Sequence, residues 1–172
     1  MGFFSKKITT DNIADSLIKF FEMGYGSMVI SFKDILKEQN ISDEQDEDLI
    51  AVSMFAIIYA VLVKLGKSDI TEKVLGKFQH DIINTYFKDS EERFKFNELL
   101  GNRGDEYNKI LTVDNKDAVI QIGQIFCNHY YGNLEDGSHL TMMTLVGSTF
   151  FNIGVNTKKF LDEILSKYKT II

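Results

Sequence analysis

The chain has 172 residues, 44% hydrophobic and 26% charged, close to the globular average, which excludes a disordered chain. A formal net charge of −6, from 19 Lys+Arg against 25 Asp+Glu, argues against generic nucleic-acid binding, which needs a basic face. Cys127 is the single cysteine, so no internal disulfide can form; the length is that of one domain able to hold a core without disulfide or metal.

Proline is absent, where average usage predicts about eight. Proline breaks helix interiors and marks turns and sheet edges, so its absence favours long helices joined by Gly- and Asn-containing turns. The start, Gly2-Phe3-Phe4-Ser5-Lys6-Lys7, places apolar residues before basic ones, the reverse of a secretory signal. The lone thiol suits a reducing compartment. The expectation is a cytoplasmic protein with a flexible N-terminus over 1–9 and a single all-helical domain over 10–172.

In chain order, residues 10–23 read as a helix capped by Thr10 or Asp11, with Ile13, Leu17, Phe20 and Phe21 on one face. Gly24-Tyr25-Gly26-Ser27 reads as a break, followed by a second helix over 28–39 with Phe32, Ile35 and Leu36 inward. Ser42 and Gln45 resemble a capping box, and the acidic run from Asp43 to Asp48 suits the positive end of a helix dipole. From Leu49 to Val63 no residue is charged, the pattern of a central bundle helix. That run is shorter than the roughly 18–20 residues needed to span a bilayer, so no stable membrane insertion is expected.

Gly66 reads as a helix stop and Ser68 or Asp69 as the next cap. Helices are then expected over 70–88, through Ile70, Val74, Phe78, Ile82 and Tyr86, and over 90–112, through Phe94, Leu99, Tyr107 and Ile110. Gly101-Asn102-Arg103-Gly104 is expected to kink or split the second of these. A helix over 115–131 turns Val119, Ile122, Phe126 and Tyr130 inward, and Gly132 to Gly137 reads as a loop. Uncharged residues from Gly137 to Thr157 read as a buried helix, with Gly147 and Gly154 on one face where neighbours come close. A final amphipathic helix is expected over 157–169. No period-two pattern competes, so the fold class is all-α: a single-domain bundle or irregular array of about seven helices.

Chemistry-bearing motifs are sparse. Gly66-Lys67-Ser68 lacks the earlier glycine and the preceding strand of a phosphate-binding loop. Cys127, His129, Glu135 and His139 are candidate metal ligands, with Asp136 nearby, but their spacing matches no standard zinc motif. His80-Asp81 are neighbours that point about 100° apart on a helix. No nucleophile elbow, paired-histidine motif or triad order is present, and no cofactor is implied. The only arginines, Arg93 and Arg103, suit an anionic ligand or acidic partner, or ion pairs with Glu91, Glu92, Asp105 or Glu106.

The functional expectation is therefore a non-enzymatic helical protein–protein interaction module, an adaptor, regulator or toxin-neutralising partner. Asp43, Glu44, Asp46, Glu47, Arg93 and Arg103 are its candidate partner-binding residues. The alternative is a bundle enclosing a small-molecule or metal site, with the polar stretch from Thr141 to Asn156 lining it and enzymatic activity in scope. A surplus apolar helix face would also suit a homo-oligomer.

Overall fold

An uncharged run of fifteen residues, Leu49 to Val63, is hidden from water only if other helices cover every side of it. The computed structural model describes residues 7–35, 47–111, 115–131, 140–168 and 170–171. Its described elements are β1 (Lys7–Ile8), α1 (Thr10–Ile35), α2 (Glu47–Leu65), α3 (Asp69–Tyr86), α4 (Ser90–Ile110), α5 (Ala118–Tyr131), α6 (Leu140–Lys167) and β2 (Thr170–Ile171). The fold is all-α, with α2 touching each of the other five helices. At 19 residues α2 is long and apolar enough to cross a membrane, yet most of it lies inside the bundle. Its buried Ser53 hydroxyl donates to the Leu49 carbonyl oxygen at 2.8 Å, so burial leaves that group bonded.

Three expected breaks are helical instead. α1 runs unbroken through Gly24-Tyr25-Gly26-Ser27, joining the helix expected over 10–23 to the one expected over 28–39, of which 28–35 are described. A mid-helix glycine costs roughly 1 kcal/mol, and packing outweighs it. The Tyr25 ring stacks on Phe21 at 5.5 Å and meets Tyr86 edge-on, and Met28 is buried. Likewise α6 continues through Thr157, whose buried hydroxyl donates to the Ile153 carbonyl oxygen. α4 is also continuous across 101–104, where Gly104 lies under the Phe55 ring.

Other caps are local. Gly66 takes φ +68 and ends α2; Ser68 then caps α3, its hydroxyl accepting from the Thr71 N–H at 3.2 Å. Thr9, rather than Thr10 or Asp11, caps α1 by accepting from the Asn12 N–H. In α4 the inward stripe is Phe96, Leu100, Gly104 and Tyr107. Phe94 is 63% exposed, because Phe96 takes the inner position, stacked on Phe87 at 4.3 Å.

The expected close approach of small residues in α6 is real, but the two glycines serve different neighbours. Gly147 lies against the Val119 backbone of α5, and Gly123 of α5 lies against Met143 of α6. Gly154 faces Ala56 of α2. α5 and α6 thus form an antiparallel pair in near backbone contact.

At the N-terminus, where a flexible segment is expected, Lys7 and Ile8 pair in parallel with Thr170 and Ile171. Ile8 is buried. This short ladder joins the start of α1 to the end of α6.

Candidate functional site

α1 and α6 run antiparallel: Phe20 stacks on Phe160 at 5.9 Å, and Gly24 faces Ile153. Between them lies an open groove of about 570 Å³. Phe20, Ile153 and Phe160 supply apolar lining; Thr149, Asn152 and Asn156, from the polar uncharged stretch, line it from the α6 side, with Lys159 and Glu163. The lining runs along α6 from Thr149 to Glu163, which at 1.5 Å per residue is about 21 Å.

The α1 side is unusually apolar for a surface. Met23 is 73% exposed and Ile30 65% exposed. Seven residues apart, they share a helix face with Ser27, which lines the groove beside Met23. The sequence carries that spacing, but an expected break at 24–27 hides it.

Of the described partner-binding candidates, Glu47 and Arg103 both lie at the first turn of α2, and Arg93 lies at the end of α3. Asp43, Glu44 and Asp46 lie outside the described residues. Glu47 is exposed at the start of α2. Arg103 is committed to Asp48: its Nε donates to Oδ1 at 2.9 Å, with the side chains only 13% and 18% exposed. That ion pair ties α4 to the first turn of α2, and its acid is one the sequence places 55 residues away. Arg93 meets no carboxylate among the described residues; its Nη1 donates to the Phe87 and Lys88 carbonyl oxygens at 3.3 and 3.0 Å. It caps the end of α3 and borders a polar cleft of about 510 Å³ between α3 and α4. His80 in that cleft bonds Asn84 at 2.9 Å, while Asp81 pairs with Lys77.

Of the candidate metal ligands, Cys127 and His129 are described. Cys127 is fully buried, and burial pushes its thiol up to about 11. His129, two residues on, turns outward to Glu106, at 2.7 Å from Nε2. Glu135 and His139 lie outside the described residues. No group of three or more metal-ligating side chains occurs among the described residues.

A second cleft, of about 440 Å³, continues the groove past Phe160 toward the β1–β2 ladder. Lys7, Lys19 and Lys167 line it, with Asn12, Ser16 and Tyr168. These lysines sit on three elements at the two ends of the chain, which no local motif reveals.

No model of a known family, no curated protein and no solved structure matches this chain.

Proposed function

We propose that this protein is a non-enzymatic helical interaction module that takes an amphipathic helix of a partner protein into the groove between α1 and α6. The observation carrying this reading is the groove itself, lined by Met23 at 73% exposure, with Ile30 at 65% exposure farther along the same face of α1. An apolar groove about 21 Å long is the length of a helix of about fourteen residues. Such a segment would present apolar side chains at i, i+3, i+4 and i+7 to the floor. Lys159 and Glu163 at the α6 edge provide charges for orienting it.

A small-molecule reading has one observation in its favour. Thr149, Asn152 and Asn156 do line this groove, whose volume lies in the range of ligand pockets, roughly 300–1,000 Å³. Its open form favours the helix.

A photo-crosslinking residue at Met23, with one at exposed Phe94 as control, tests the reading in the protein's own cells. A protein crosslinked from position 23 and not 94, whose contacting segment binds in isolation and loses more than about tenfold affinity for Met23→Asp, is the expected result. Native mass spectrometry showing a bound small molecule and no groove-specific crosslink would overturn it.

A further inference from the structure

We infer that the cleft formed by Lys7, Lys19 and Lys167 is a binding site for a phosphate group. The inference rests on the charges of this cleft and is independent of what fills the apolar groove.

The chain is acidic, with a net charge of −6; Lys64, Lys95 and Lys77 meet described carboxylates, Asp162, Glu91, and Asp15 with Asp81, while most other described lysines meet none. Lys7, Lys19 and Lys167 meet none among the described residues. All three nonetheless line one cleft. Like charges gathered around one cleft repel one another, and an anion between them reverses that sign.

The geometry holds them there. The β1–β2 pairing sets Lys7 opposite Thr170, so a residue that would fray at a free terminus is fixed in place. Ile8 is buried and Lys7 exposed, and both line the cleft. Lys19 comes from α1 and Lys167 from the last turn of α6.

Asp15 is the one carboxylate lining the cleft, and Lys77 holds it at 2.8 Å. Asn12, Ser16 and Tyr168 bring polar groups that can hydrogen-bond phosphate oxygens. Three ammonium groups match a polyvalent anion better than a single carboxylate.

The phosphate can belong to a free compound or to a lipid headgroup. Calorimetric titration at low salt with inorganic pyrophosphate, and sedimentation with phosphatidylcholine vesicles with and without phosphatidic acid, separate the two. Pyrophosphate binding at one site, weakened more than about tenfold in Lys19→Gln/Lys167→Gln and weakened again by salt, assigns a free phosphate compound. Binding only to phosphatidic acid vesicles, lost in the same variant, assigns a headgroup. Lys95→Gln should leave either unchanged, and circular dichroism confirms that each variant is folded. Binding to neither probe, binding unaffected by the double variant, or equally tight binding of polyglutamate would overturn the assignment.

Discussion

Replacing Gly147 by alanine probes the seam between α5 and α6. A Cβ there would sit 1.8 Å from the Val119 carbonyl oxygen, and one at Gly123 would sit 1.8 Å from that of Met143. Backbone atoms cannot rotate out of the way as a side chain can. The two helices would have to part by roughly 1.5 Å, which forfeits dispersion contacts along the pair. Overpacking of this kind costs about 1–3 kcal/mol and occasionally more; alanine returns about 1 kcal/mol of helix propensity. With backbone on both sides of the clash the upper end of that cost applies, and a net loss of about 2 kcal/mol is expected, or a fall in Tm of about 4–8 °C for a chain of this size. Gly76 and Gly101 supply the contrast, because both are helical and an added methyl meets nothing within 4 Å. There propensity acts by itself, and alanine should add about 0.5–1 kcal/mol. Urea unfolding of the four single variants reads the sign directly. If Gly147→Ala and Gly123→Ala unfold at or above the parent's midpoint, the close approach of α5 and α6 is refuted.

Removing the guanidinium with Arg103→Met should cost about 1–3 kcal/mol, because Asp48 is then left largely out of water without it. Adding Asp48→Leu should recover part of that loss, so a double-mutant cycle with purely additive effects would contradict the pairing. The Cys127 thiol, at about 11, lies above its ordinary unfolded value of about 8.5, so the fold favours the protonated form. Its contribution is complete below pH of about 8.5 and falls away as pH rises toward 11, by up to about 3 kcal/mol. Burial shifts the Tyr107 hydroxyl in the same direction, extending the loss to higher pH. The stability of Cys127→Ala should decline less steeply over this interval; equal slopes in parent and variant would show that the buried thiol does not contribute.

The helical class, the central place of α2 and the stop at Gly66 followed by the Ser68 cap were all legible in the chain. Each follows from local rules: a missing proline, an uncharged run, a glycine before a capping hydroxyl. Local rules failed where distant residues outweighed them. Gly24 and Gly26 stay helical because Ile153, Tyr86 and the core hold α1 in place, and Phe94 gives up the inside to Phe96 because Phe87 lies opposite.

The candidate site divides along the same line. The sequence singled out both arginines for their bidentate chemistry, but the partners are distant or main-chain: Asp48 across 55 residues, and the carbonyls closing α3. The Met23–Ile30 face is present in the spacing, and only an unbroken α1 makes it a face. Lys7, Lys19 and Lys167 come together only because α1 and α6 are antiparallel and the ladder joins their ends. Composition and period determine which segments are helical and which sides are apolar, because those depend on neighbours within a turn or two. Which faces meet, and which charges pair, depends on contacts between segments far apart in the chain, 55 residues for Asp48 and Arg103 and the whole length of the fold for Phe20 and Phe160, and no rule confined to a turn or two reaches that far.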